Sequence, residues 1–176
     1  QLALTFETDE AHLDEADYAA YNALIIEFGE RDQTTPSEPP CPHPLYPLYQ
    51  ALVARISYRS GDLPRSLTSI QAALECWPDE PRWHSLAASI YRSVGDVSSS
   101  IIHLEHAVEL EPGYMPHYLK LGQSYLNQAQ TVLPGGAIEA SMNAIQVLEK
   151  ACELSNKQAE PWLSLARTHL CAAQDN

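Results

Sequence analysis

The feature that most constrains this chain is a repeat of 34 residues in its middle. Two Gly-Asp pairs lie 34 residues apart, Gly61-Asp62 and Gly95-Asp96, and each closely follows a Tyr-Arg-Ser sequence. Three further positions recur at the same step, with Ser66, Ala73 and Pro78 matched by Ser100, Ala107 and Pro112. A repeat of this length holds one small structural unit, which buries its apolar face by stacking on its neighbours.

The residues of one unit predict a helical hairpin. We expect a first helix from about Tyr46 to Ser60, ended by Gly61, because glycine adopts the left-handed conformation without a side-chain clash. Asp62 is placed to cap the second helix, and Pro64 lies in its first turn, where no N–H donor is needed. The second helix should run to about Cys76. Strand-like alternation is almost absent, so the pattern favours an all-α fold.

This pattern resembles the tetratricopeptide repeat (TPR) family, a family of 34-residue helix-turn-helix units. Units that start at Pro47, Pro81 and Met115 place the family's signature residues at Ala54, Ser66, Ala73 and Pro78, at Ala88, Tyr91, Ser100, Ala107 and Pro112, and at Tyr118, Gly122 and Tyr125. A partial unit starts at Ala159, with Trp162 and Leu165-Ala166 in register. The resemblance implies an all-α fold, a right-handed α-solenoid of stacked helical hairpins.

The resemblance also implies a division of the chain. We expect a partial N-terminal repeat at 1–31 (the end of a first helix and a second helix), a proline-rich linker at 32–46, repeats at 47–80, 81–114 and 115–158, and a capping helix or truncated repeat at 159–176. The third repeat has an insertion of about ten residues near 131–140 relative to the family unit. We interpret Leu133-Pro-Gly-Gly136 as a tight turn between helices.

In this family the first helices line a concave groove, mainly through positions 2, 5, 6, 9, 12 and 13 of each repeat. Over four units these 24 positions hold six of the ten Lys and Arg residues but one of the 23 acidic residues. The whole chain carries a net charge of −13. We therefore predict a basic peptide-binding groove formed by Arg55, Tyr58, Arg59, Arg82, Ser89, Arg92, Lys120, Gln123, Asn127 and Arg167.

The function that follows is a protein–protein interaction scaffold, not an enzyme. Its partner would be an extended peptide or protein segment that is acidic or carboxylate-bearing, because arginine binds carboxylates through two parallel hydrogen bonds. The family's chaperone-binding members use a carboxylate clamp, and of its five positions only Lys120 is basic here as required. Two alternatives stay open: a regulatory or targeting domain of a larger kinase, glycosyltransferase or signalling ATPase, and a self-assembly module that oligomerises through exposed solenoid ends.

Other chemistry has weak support in the sequence. The acidic charge disfavours nucleic-acid binding, and no apolar run approaches the ~20 residues needed to span a bilayer. His103 and His106 lie one turn apart, and we interpret both as solvated surface residues, with no metal site and no cofactor. Cys41-Pro-His43 is interpreted as part of the linker, because a nucleophile needs a rigidly placed base.

The four cysteines, Cys41, Cys76, Cys152 and Cys171, form no Cys-x-x-Cys pair. We interpret them as free thiols in a reducing, cytoplasmic setting, with Cys76 and Cys152 packed in the core. A targeting segment removed before Gln1 is the alternative. Three lysines against seven arginines favour a bacterial source.

The aromatic residues have a structural interpretation. Trp83, Trp162, Tyr118 and Tyr125 fall at positions that should pack within or between hairpins. Trp77 occupies a position that is usually polar, beside Pro78, and the sequence assigns it no role.

Overall fold

The computed structural model describes residues 44–131, 134–155 and 158–174, together with Ala19 and Ala23, which are helical. The side chains of 134–137, 171, 173 and 174 are outside this description. Most of the predicted partial repeat at 1–31 and of the linker at 32–46, including Cys41 and His43, also falls outside it. The described ranges contain seven multi-residue helices: α1 Tyr46–Ser60, α2 Leu63–Cys76, α3 Pro81–Val94, α4 Val97–Leu110, α5 Met115–Thr131, α6 Pro134–Leu154 and α7 Ala159–Gln174.

The helices pack in the order in which they follow one another. The tightest pairs are α1 with α2, α3 with α4 and α5 with α6, and α7 packs mainly on α6. Each hairpin rests on the next, α2 against α3 and α4 against α5. First helices also meet across the stack, α1 with α3 and α5 with α7. The result is an all-α solenoid, with no strand among the described residues.

The turns at the two Gly-Asp pairs form as predicted. Gly61 and Gly95 take φ values of +84° and +91°, in the left-handed region that glycine tolerates. The Asp62 carboxylate accepts a hydrogen bond from the Arg65 amide at 3.2 Å, and that of Asp96 accepts one from the Ser99 amide at 3.0 Å. The predicted α1 boundaries and the Asp62 cap are thus confirmed.

Small residues and a few large ones fill the space between hairpins. One apolar cluster joins α1, α2 and α3, and is formed by Ala51, Ala54, Ile70, Ala73, Trp83, Ala87 and Ile90. A second joins α3, α4 and α5 through Ala88, Ile101, Leu104 and Leu121. The predicted packing of Trp83 and Tyr118 is confirmed. The prediction for Trp162 is wrong, because its side chain is 57% exposed and nothing described covers that side of α7.

The predicted insertion lengthens helices instead of forming a long loop. The helices α5 and α6 have 17 and 21 residues, whereas α2, α3 and α4 have 14 each. Our interpretation of Leu133-Pro-Gly-Gly136 as a tight turn is wrong for Pro134–Gly136, which form the first turn of α6. Proline suits that position, because the first amides of a helix have no internal acceptor.

The cysteine prediction is wrong for Cys76, which is disulfide-bonded. Disulfides persist in oxidising surroundings, so the cysteines no longer favour a reducing compartment. Cys152 is free and buried, as predicted, and burial together with the nearby Glu149 charge raises the pKa of its thiol. None of the described helices is both long and apolar enough to cross a membrane.

Candidate functional site

The first helices of the hairpins share one surface, which we call the first-helix face. The Tyr58 hydroxyl of α1 lies 3.1 Å from the Ser93 hydroxyl of α3. Further along, Arg92 Nη1 of α3 donates to Gln123 Oε1 of α5 at 3.5 Å. Three predicted groove residues, Tyr58, Arg92 and Gln123, are therefore brought together by contacts that run from helix to helix across the stack.

The predicted groove residues differ in how far they reach the surface. The exposed ones are Arg59, Arg82 and Arg167, and the half-buried ones are Arg55, Tyr58, Arg92, Lys120, Gln123 and Asn127. Ser89 is 6% exposed, and its hydroxyl donates to the Ser85 carbonyl at 3.0 Å. Ser89 thus helps to pack α3 and is not placed to touch a ligand.

Two arginines stand one turn apart on α1. Arg55 is half-buried, and burial and then the neighbouring Arg59 charge lower the pKa of its guanidinium. Both effects disfavour concentrated positive charge at this point. A carboxylate close to the two guanidinium groups would offset that repulsion.

A second cationic region surrounds a buried histidine. His117 is 1% exposed, and its Nε2 lies 3.3 Å from Glu111 Oε2. Burial lowers the pKa of His117, Glu111 opposes this shift, and the charges of Lys120 and Arg82 add to it. Arg82 of α3 and Lys120 of α5 are therefore close enough to act on one side chain, which links two predicted groove cations.

Sequence reasoning missed His117 and Glu111. The available signal was the repeat register, since His117 takes the place held by Tyr49 and Trp83 in the two preceding units, and both of those are buried. A histidine buried at such a position loses its contact with water. Its ring nitrogens therefore need polar partners, or the neutral form of the ring is favoured. Glu111, just after α4, is the charged neighbour of this ring, although the 3.3 Å contact between its Oε2 and His117 Nε2 does not have hydrogen-bond geometry.

A shallow depression of about 380 Å³ adjoins this cationic region. Its floor is Trp83, on which Trp77 stacks with ring centroids 5.4 Å apart and planes 3° from parallel. The depression is lined by Leu48, Trp77, Glu80, Pro81, Arg82, Trp83 and Glu111. It offers apolar contact area beside one basic residue, Arg82, and two acidic ones, Glu80 and Glu111, and it gives Trp77 a structural role that the sequence did not reveal.

The histidines of the second unit form a cluster rather than a solvated pair. His84 Nε2 lies 2.7 Å from the Pro78 carbonyl and His84 Nδ1 lies 2.9 Å from His103 Nδ1. A carbonyl only accepts, so His84 donates from Nε2 and His103 donates to His84. Burial and the neighbouring His84 and His106 lower the pKa of His103 to about 4. Our prediction of a solvated residue is wrong for His103, whereas His106 is exposed.

The histidine cluster lacks the set of ligands that a metal site requires. Within the described residues, no group of three or more His, Cys, Asp or Glu side chains is arranged to hold a metal ion.

Comparison with known proteins gives similarity in structure only. No protein-family model matches the sequence, and no curated protein does. The first TPR domain of Spaghetti (RPAP3), bound to the HSP90 peptide SRMEEVD, matches with a TM-score of 0.63 and 16% identity, over 74% of this chain and 96% of that one.

Two further solved structures show the same likeness. The second TPR domain of human RPAP3, in complex with the HSP70 peptide SGPTIEEVD, has a TM-score of 0.57 and 12% identity, over 70% of this chain and 98% of that one. The TPR protein TTC0263 of Thermus thermophilus has a TM-score of 0.64 and 18% identity, over 73% and 66%. Identities this low establish the fold alone, and the fold of this chain is that of the TPR domains.

Proposed function

We propose that this chain is a non-catalytic interaction scaffold whose first-helix face binds an acidic, carboxylate-bearing peptide segment. The observation that carries the proposal is the placement of cationic side chains from successive first helices on one continuous surface. Arg59, Arg92 and Lys120 come from α1, α3 and α5, and the Arg92–Gln123 contact ties two of these helices together.

Charge supports an anionic ligand in particular. A protein with a net charge of −13 repels acidic partners over most of its surface. An acidic partner is therefore expected to bind where the local charge is positive. Hydrogen bonds between guanidinium and carboxylate groups are stronger than neutral ones and depend on geometry. The depression beside Arg82 would add apolar contact for a side chain next to the bound carboxylate.

The structural neighbours support the same class of ligand. The peptides in the two RPAP3 complexes, SRMEEVD and SGPTIEEVD, both contain consecutive acidic residues. This chain differs from the family's clamp pattern at most positions, so we propose an acidic peptide without assigning its sequence. The support from these structures is the likeness in fold and the acidic residues of their peptides.

The test is a fluorescence-polarisation titration with a panel of labelled peptides. The panel pairs acidic peptides that end in a free carboxylate with versions in which Glu and Asp become Gln and Asn and the C-terminus is amidated. We expect the acidic peptides to bind, and we expect added salt to weaken their binding. Binding by none of the acidic peptides, or equal binding by the neutral set, would contradict the proposal.

Charge-reversal variants locate the binding surface. The double variant Arg59→Glu with Arg92→Glu should raise the dissociation constant of acidic peptides by about tenfold or more, since two favourable charge contacts become repulsive. Arg55 is left unchanged because its Nε is buried and burial lowers the pKa of its guanidinium, so a carboxylate there would threaten the fold. Arg65→Glu with Lys150→Glu is the matched control, since both side chains are exposed on second helices, α2 and α6. Equal weakening by the control would show a general charge effect and reject the first-helix face.

A further inference from the structure

His117 is a buried titratable side chain at a position where the fold needs only an aromatic ring. Its side chain is 1% exposed, and the Tyr114 ring packs edge-on against it with centroids 4.6 Å apart. The same position holds Tyr49 and Trp83 in the two preceding repeats, and both are buried. Among the described residues, neither ring nitrogen of His117 has a hydrogen-bond partner. Buried polar groups without a partner are uncommon, and many of them have a functional role.

Charged groups from three elements act on this ring. Glu111, in the turn after α4, places its Oε2 atom 3.3 Å from His117 Nε2, and that oxygen is itself buried without a hydrogen-bond partner in the described part of the chain. Arg82 of α3 and Lys120 of α5 act on the ring as positive charges. Burial lowers the pKa of His117, Glu111 opposes this shift, and Lys120 and Arg82 add to it. The ring is therefore neutral near about pH 7.

The same two cations belong to the surface that we propose to bind peptide. Arg82 is exposed and lines the depression, and Lys120 is half-buried on α5. A carboxylate bound beside them adds a negative charge, which partly cancels the effect of the two cations on His117. The complex should therefore hold a proton on His117 more readily than the free protein does.

Glu111 links the ring to the peptide surface in a second way. Its carboxylate lines the depression beside Arg82, where its negative charge repels an incoming carboxylate. A protonated His117 would form an ion pair with Glu111 and remove much of that repulsion. The proton on His117 and an anionic segment in the depression therefore favour each other, and this effect is reciprocal.

We propose that the binding of an acidic peptide segment beside Arg82 and Lys120 is coupled to the uptake of a proton by His117. This inference rests on the proposed function and adds that the affinity depends on pH through one buried side chain. A ligand whose binding takes up a proton binds more tightly as the pH falls. Because the pKa of His117 in the free protein lies below its ordinary value of about 6.5, the gain should appear between about pH 7 and pH 5, above the range in which peptide carboxylates protonate.

Isothermal titration calorimetry in two buffers of different ionisation enthalpy measures the proton uptake directly. The ligand is an acidic peptide with a free C-terminal carboxylate, titrated at several pH values between about 7.5 and 5. The wild type should take up as much as about one proton per peptide, and its affinity should rise about threefold or more across this range. Both effects should vanish in His117→Phe, which keeps an aromatic ring at the buried position and cannot be protonated. His106→Gln is the matched control, because His106 is exposed on α4 and its loss should change neither effect.

Glu111→Gln gives an independent check at a half-buried site. It removes the charge that favours the protonated ring, so the largest proton uptake should move to lower pH. Peptide binding without proton uptake overturns the coupling and leaves the proposed function intact. The same holds for uptake that persists in His117→Phe or that Glu111→Gln does not move. Binding by no acidic peptide at any pH in the range rejects the proposed function and the coupling together.

Discussion

At the residue scale, small side chains determine how closely the helices approach. The eighth position of successive first helices holds Ala54, Ala88 and Gly122, and all three are buried. At Gly122 the approach is closest, because an added Cβ would lie 2.5 Å from Leu148 Cγ. The sequence register predicted a small residue there. The register does not show which of the three positions lacks room for a methyl group, because that depends on how closely α5 and α6 pack.

Gly122→Ala should therefore destabilise the protein although alanine is the better helix former. We expect a net loss of about 1–2 kcal/mol, since overpacking of a core exceeds the gain in helix propensity. Urea unfolding followed by circular dichroism measures the change. Gly113→Ala is the control, because nothing lies within 4 Å of a Cβ at that site. A Gly122→Ala protein as stable as the control would show that Leu148 shifts at no cost.

The His84–His103 pair predicts a pH-dependent stability. The pKa of His103 is lowered to about 4, whereas an unfolded histidine has a pKa near 6.5. Between those values the unfolded state binds more protons, so the stability conferred by neutral His103 is present above about pH 6.5 and is lost as the pH falls towards 4. Because His103 is half exposed, the full effect should be about 1–2 kcal/mol.

Thermal unfolding at several pH values between about 7 and 4.5 tests this coupling, since both the unfolded and the folded pKa lie near that window. His103→Gln should flatten the pH dependence, and His106→Gln, at an exposed site, should leave it near that of the wild type. An unchanged slope in His103→Gln would mean that other groups govern the acid response.

At the scale of single helices, the sequence predicted helix ends correctly where a residue type suits only one position in a helix. Gly61 and Asp62 marked the end of α1 and the cap of α2 correctly, because a left-handed glycine followed by a capping carboxylate rarely serves another purpose. The signal at Pro134–Gly136 was ambiguous, since the same residues suit a turn or the start of a helix. The length of α6, 21 residues, could not be read from its first turn.

Asp96 offers a test of a single cap. Its carboxylate accepts from the Ser99 amide at 3.0 Å and from the Ser99 hydroxyl at 2.6 Å, and these bonds lower its pKa. Asp96→Ala should cost about 0.5–2 kcal/mol of unfolding free energy. Asp79→Ala, in the exposed turn between α2 and α3, is the control. Equal losses in the two variants would show that the cap adds nothing beyond general charge.

At the scale of the whole molecule, the repeat period predicted the solenoid because each hairpin makes the same contacts with the next. The predicted groove needed more than periodicity. Ser89 is buried and Arg55 is half-buried, and the register of the repeat alone does not give the depth of either position. The cations around His117 and the Trp77–Trp83 stack depend on residues of α3, of α5 and of the turn that follows α2. No local pattern in the sequence connects those helices.

The disulfide at Cys76 belongs to this scale as well, because the spacing of the cysteines in the sequence did not reveal it. Thiol titration of the denatured protein should give fewer thiols per chain before reduction than after it, when all four cysteines react. Reduction should also lower the unfolding temperature, because a cross-link restricts the unfolded chain. Four titratable thiols before reduction would contradict the bond.

The central claim is that the first-helix face binds acidic peptides, and photo-cross-linking tests it most directly. An acidic peptide that carries a benzophenone group is bound and irradiated, and the attachment sites are found by mass spectrometry. We expect attachment to exposed residues of α1, α3 and α5, with competition by unlabelled acidic peptide. Attachment concentrated on the second helices α2, α4 and α6 would contradict it.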